Sequence, residues 1–159
     1  MRDLPAKFLL LACCLFSTGL FAGAPAHGMV ASGHPLATDA GLKTLKAGGN
    51  AIDAAVAVGL TLGVVDAHNS GIGGGCFMLI HLASGTNICI DGREMAPAAA
   101  TRDMFLRNGT GETNLSRAGP LASGVPGEVA VFNFAVRNYG KKSLRDLLLP
   151  AADIAENGF

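Results

Sequence analysis

Charged residues make up only 15% of this 159-residue chain, against roughly 25% in an average soluble domain. With 12 basic and 12 acidic residues the formal net charge is zero. No basic patch argues for nucleic acid, and no acidic tail argues for a solvating role. Tryptophan is absent and there is one tyrosine, which removes the stacking platform of a single-strand binder. The four cysteines are too sparse, and the four histidines too irregularly spaced, for a zinc site. No metal or other cofactor is implied. What remains is a chain of single-domain length, half hydrophobic and rich in glycine. It can fill a core but has little polar surface to cover it.

The first residues read as an export signal rather than as fold. Arg2 and Lys7 precede an almost wholly apolar run from Phe8 to Phe21, and Ala24-Pro25-Ala26 supplies small residues for cleavage. That is the secretory pattern. The apolar run falls short of the ~20 residues of a spanning helix; an uncleaved anchor is the competing reading. Cleavage after Ala26 would leave residues 27–159, periplasmic or extracellular, with only Cys76 and Cys89. Phe77–Leu82 and Thr86–Asp91 read as a hairpin turning at Ser84-Gly85. That register sets Cys89 opposite Ile80, about 13 Å along the strand from Cys76, beyond the ~7 Å limit for a disulfide. Both are expected as buried free thiols.

Further along, Met29–Ser32 is a strand candidate. His34-Pro35 opens a helix to about Ala47, with proline in the first turn where its missing N–H costs little, and Gly48-Gly49 stops it. Asn50 is a good N-cap for a second helix, and Asp53 lies in its favourable first turn. That helix is apolar on nearly every side, the mark of a buried helix, with Gly59 and Gly63 permitting close approach. A polar loop at residues 66–70 and the run Gly71-Ile72-Gly73-Gly74-Gly75 lead into the hairpin. A short helix is expected over Ala98–Phe105 and an exposed loop over Asn108–Ala118, where Asn108-Gly109-Thr110 and Asn114-Leu115-Ser116 match glycosylation acceptors. Helices follow at Glu128–Asn138 and Leu144–Leu149, with Pro150 breaking or restarting the last. Three or four apolar strands and some five helices make a poor closed unit, so further chain or a partner should complete the sheet.

Few residues offer chemistry. The glycine run follows a helix and precedes a strand, the reverse of a dinucleotide fingerprint, so it reads as a tight turn where backbones pass closely. Ser70 lies outside a Gly-x-Ser-x-Gly elbow, His68 is a lone loop histidine, and Cys76 has no adjacent base. Asp91, Arg93 and Glu94 form the best polar cluster. Arg93 could fork onto a substrate carboxylate or form a structural ion pair with either acidic neighbour.

Taken in order, several segments resemble the large subunit of the gamma-glutamyltranspeptidase family. They are Gly28–Ser32, Leu45–Ala57, Gly71–Leu79, Arg93-Glu94-Met95-Ala96-Pro97, Gly124-Val125-Pro126-Gly127, and Pro150-Ala151-Ala152 through Gly158-Phe159. The resemblance implies an α/β fold, a four-layer αββα sandwich of the N-terminal-nucleophile hydrolase type, of which residues 27–159 would be only part. It implies a precursor that cleaves itself once, and a small-subunit threonine that attacks the gamma-glutamyl amide of glutathione. The acyl group then passes to water, an amino acid or a peptide. Threonine's own N-terminal amine would act as base, and backbone N–H groups would hold the oxyanion. The implied partners are a gamma-glutamyl donor and the small subunit. Arg93 maps onto the family arginine that grips the donor's alpha-carboxylate. None of the threonines from Thr38 to Thr113 sits in the cleavage context, so no catalytic residue is expected here. A related cephalosporin or poly-gamma-glutamate acylase, and an inactive truncated remnant, are the alternatives.

Overall fold

The computed structural model describes residues 28–159; the expected export signal lies outside the described residues. Helices α1 (Pro35–Lys46) and α2 (Ala51–Val65) are followed by strands β1 (Cys76–His81) and β2 (Asn87–Gly92). A miniature hairpin, β3 (Leu106–Arg107) and β4 (Thr110–Gly111), and two single 3-10 turns precede α3 (Glu128–Tyr139) and α4 (Leu144–Asn157). Among the described residues the strands form two separate antiparallel pairs, β1 with β2 and β3 with β4.

The core forms where α2, α3 and α4 meet. Val56, Ala57 and Leu60 of α2 pack with Phe132 and Val136 of α3 and with Leu147 and Ala151 of α4. On α3 the buried residues Glu128, Val131, Phe132, Ala135 and Val136 follow the i, i+3, i+4 stripe of a helix with one face inward. Gly59 lies under the Phe132 ring, and a Cβ there would meet Phe132 Cζ at 2.5 Å. The close approach expected at this glycine is therefore used.

One side chain ties the helices together. Asn50 Oδ1 accepts from Ile52 N and Asp53 N, while Asn50 N donates to Asp53 Oδ2 at 2.8 Å, closing a capping box. The Asp53 carboxylate is wholly buried and also accepts from Lys141 N at 3.0 Å and Lys142 N at 3.2 Å, in the turn between α3 and α4. Asn50 Nδ2 donates to Tyr139 O, and Lys142 Nζ to Ala47 O. Gly140 makes room, since a Cβ there would stand 2.6 Å from Asp53 Oδ1.

Several expectations need correction. Met29–Ser32 is not a strand: no described strand lies beside it, and an extended segment without a partner forms no ladder. Ala98–Phe105 forms turns, having neither an N-cap nor a helical apolar stripe. The hairpin register is one residue off the expected one, with Leu79 opposite Cys89 and Ile80 opposite Ile88. Leu82 N donates to Thr86 O around a three-residue loop whose last member, Gly85, has φ +87°, a frequent hairpin solution. Cys76 and Cys89 are free, but Cys89 is exposed rather than buried. Pro150 does not break α4. It sits on the exposed side while Leu147 and Ala151 are buried, so the carbonyl that loses its helical partner faces water. Finally, α2 is not covered all round: Ala51 and Ala55 are exposed.

Replacing Asp53 by alanine would strand three backbone donors. Leaving a fully buried group unsatisfied costs about 1–3 kcal/mol, and because these three amides are part-buried, Asp53→Ala is expected to lower stability by about 2–3 kcal/mol in urea unfolding. A change below ~1 kcal/mol would show that the carboxylate does not hold the helices together.

Candidate functional site

Three segments distant in sequence are drawn together beside the β1–β2 hairpin. The Gly71–Gly75 run is fixed by Gly74 N donating to Gly71 O, and Gly74 O accepts from both Gly127 N at 3.0 Å and Glu128 N at 3.2 Å. The segment following Gly92 is clamped by a two-way isolated bridge, Met95 N to Val125 O at 3.1 Å and Val125 N to Met95 O at 2.8 Å. The backbones touch where they cross. A Cβ on Gly92 would collide with Val131 Cγ2, and one on Gly127 with Gly92 O. Here the glycines buy proximity rather than a phosphate cradle, as the order of elements suggested.

Arg93 and Glu94 emerge from this junction. Arg93 N donates to Asp91 Oδ1 at 2.9 Å, which turns the Asp91 carboxylate onto the backbone. Arg93 Nε lies 3.7 Å from Glu94 Oε2, with the two side chains 68% and 41% exposed. An exposed pair at that distance contributes about 0–1 kcal/mol. The guanidinium carbon stands 5.9 Å from the centre of the Phe77 ring, within cation–π range. Arg93 is thus steered by an aromatic face and a weak ion pair, and its fork stays open to a stronger anionic partner.

Glu94 also borders a groove of about 840 Å³ between α2 and β1, shared with Phe77, Glu128, Cys76 and Phe132. Glu128 is 6% exposed, and burial pushes its carboxyl above the usual glutamate range. Burial, with the Glu128 charge in second place, raises the Cys76 thiol, which makes this cysteine a poor nucleophile. Sequence reasoning missed Glu128. Its only sign was a glutamate on the apolar stripe of α3.

The other singled-out residues stay apart. His68 is exposed and engages only its neighbours, with Nδ1 3.2 Å from Asp66 Oδ1 and Nε2 3.0 Å from Asn69 Nδ2. Ser70 lines the groove, and among the described residues no histidine shares that lining. Asn108 and Asn114 are exposed, Asn108 at the tip of the β3–β4 turn with φ +51°.

The three converging segments are among those that carry the family resemblance, and comparison with known proteins agrees. Residues 37–159 match the sequence model of the family described as Gamma-glutamyltranspeptidase. The glutathione hydrolase proenzyme of Escherichia coli is 50% identical over 134 residues, covering 84% of this chain and 23% of that protein. Among solved structures, the gamma-glutamyltranspeptidase of Helicobacter pylori superposes with a TM-score of 0.82 at 49% identity, over 86% of this chain and 39% of that one. That of Pseudomonas nitroreducens, complexed with L-DON, gives 0.78 at 40%, over 83% and 39%. The chain belongs to the gamma-glutamyltranspeptidase family. It spans about a quarter of the length of the curated relatives it matches.

Because the folded-state pKa of Glu128 is raised, its contribution to stability is fully present below the unfolded value, about 4.3. That contribution is lost as pH rises through the raised folded value. Glu128→Gln, which keeps the shape without the titration, is expected to flatten the stability decline in that window. An unchanged pH profile in Glu128→Gln thermal melts would contradict the assignment.

Proposed function

We propose that this chain supplies the donor-carboxylate grip of an exported gamma-glutamyl transferase and glutathione hydrolase. One observation carries the reading: the open guanidinium of Arg93, standing where three family segments are hydrogen-bonded together. Two parallel N–H groups of an arginine match the two oxygens of an alpha-carboxylate. A gamma-glutamyl donor presents that group at a fixed distance from its scissile gamma-amide, so gripping one end orients the other.

The chemistry in this proposal follows the family resemblance. A threonine hydroxyl, from polypeptide corresponding to the relatives' remaining length, attacks the gamma-carbonyl. Its proton passes by way of the threonine amine to the departing amine, and the new ester is then cleaved by water or by an amino acid or peptide amine. Arg93 takes no part in these proton transfers and acts by holding the donor. The 159 residues by themselves are proposed to be inactive, as the nucleophile is assigned elsewhere. Residues 1–26 are proposed as a cleaved signal that exports the protein, and residues 27–159 as the beginning of a large subunit paired with a small one. Among the described residues no helix is long and apolar enough to cross a membrane.

The test is Arg93→Lys in the self-cleaved enzyme carrying this chain. Losing a bidentate charged contact costs about 2–5 kcal/mol when desolvated. Because Arg93 is partly exposed, the lower end applies, and KM for a gamma-glutamyl anilide is expected to rise about 30-fold with the melting temperature little changed. An unaltered KM would refute the assignment.

A further inference from the structure

The two faces of the β1–β2 hairpin differ in what they meet. Side chains of a strand alternate between faces. Cys76 and Met78 pack against the core where α2, α3 and α4 meet, and Ile80 is buried. Phe77 and Leu79 therefore take the outward face, 61% and 77% exposed. The register pairs Phe77 with Asp91, and Arg93 follows two residues later, at the diagonal position. Residues so placed come within reach when one is aromatic and the other long. The guanidinium carbon indeed lies over the Phe77 ring, 5.9 Å from its centre. The acidic neighbours hold this side chain less well. Asp91 Oδ1 accepts from the Arg93 backbone N, and the Glu94 contact at 3.7 Å is too long for a hydrogen bond.

We propose that Phe77 is a positioning residue for Arg93: its ring holds the guanidinium and leaves the N–H groups in the guanidinium plane free for the donor. The inference rests on the reading of Arg93 as the carboxylate grip. The kind of contact favours a ring over an acid as the holder. An acidic partner occupies the same in-plane N–H fork that a substrate carboxylate needs. An aromatic face attracts the cation through its quadrupole and accepts none of those hydrogen bonds. An arginine without such a contact samples many rotamers, and ordering it on binding lowers affinity. A ring already against the guanidinium removes part of that loss before the donor arrives. Phe77 thus acts on capture of the carboxylate and on no bond-making step.

The test uses the full-length enzyme that the proposal assigns to this chain, with a gamma-glutamyl anilide and the 4-aminobutyryl anilide that lacks the carboxylate. Phe77→Leu keeps apolar bulk without the ring. It is expected to raise KM for the first donor about two- to fivefold, the size of a partly exposed cation–π contact. Its kcat should not change, nor its KM for the second donor. Phe77→Tyr should keep the wild-type KM, and so should Leu79→Ala on the same face. With Arg93 already replaced by glutamine, Phe77→Leu should add nothing. An unchanged KM in Phe77→Leu beside a raised KM in Arg93→Lys overturns the role of Phe77 and leaves Arg93 standing. Weakening of both donors, an equal rise in Leu79→Ala, or an undiminished effect in the Arg93→Gln background marks Phe77 as structural and overturns it as well. If Arg93→Lys itself leaves KM unaltered, the carboxylate reading falls and this inference with it.

Discussion

A single buried carboxylate organises this structure. Asp53 satisfies the N-terminus of α2 through its capping box with Asn50, and the same two oxygens receive the amides of the turn between α3 and α4. Taking a charge out of water is costly unless every lone pair finds a donor, and here the donors come from segments nearly ninety residues apart. Once that knot is tied, α3 has little freedom in where it lies on α2, and Phe132 settles over Gly59. The position of α3 in turn sets the Gly127–Glu128 amides against Gly74 O. The junction that carries Arg93 is therefore downstream of a structural one, although the two share no residue.

The junction itself combines opposite demands. Its backbones must pass so closely that Gly92 and Gly127 admit no Cβ, while the charged side chain leaving it must remain available. The sequence Gly92-Arg93-Glu94 meets both. Glycine anchors the strand against α3, the arginine turns toward the Phe77 ring, and the glutamate borders the groove that Phe77 also lines. Since the Arg93–Glu94 pair is exposed and long, it orients the guanidinium at little energetic cost, and a carboxylate ligand has only a weak competitor to displace.

Local signals in the sequence proved readable where the physics is local. Helix limits at Pro35 and Asn50 follow from first-turn proline and capping, and the exposed stretch around Asn108 follows from its polarity. Reading failed where the outcome depends on partners or geometry outside the window. Whether Met29–Ser32 forms a ladder depends on a neighbouring strand; whether Pro150 stops α4 depends on which side of the helix faces water. The hairpin register turned on one extra loop residue, since a one-residue slip exchanges every opposing pair. In the site, Arg93 was visible as a residue type and through resemblance. The hydrogen bonds that unite the glycine run, the Arg93 segment and the Val125 segment were not, because nothing in sequence spacing reports which backbones cross. Glu128 was hidden for a related reason: its burial is decided by α3 docking on the hairpin, not by its own neighbours.

The central claim is that Arg93 recognises the donor's alpha-carboxylate and nothing else about it. The most direct measurement is a two-by-two comparison in the full-length enzyme that the proposal assigns to this chain. Wild type and Arg93→Lys would each be assayed for KM with a gamma-glutamyl anilide and with the 4-aminobutyryl anilide that lacks the carboxylate. The account predicts that the substitution weakens the first donor and leaves the second unchanged, since the partner of the guanidinium is already gone. Equal weakening of both donors would contradict it and return Arg93 to a purely structural role.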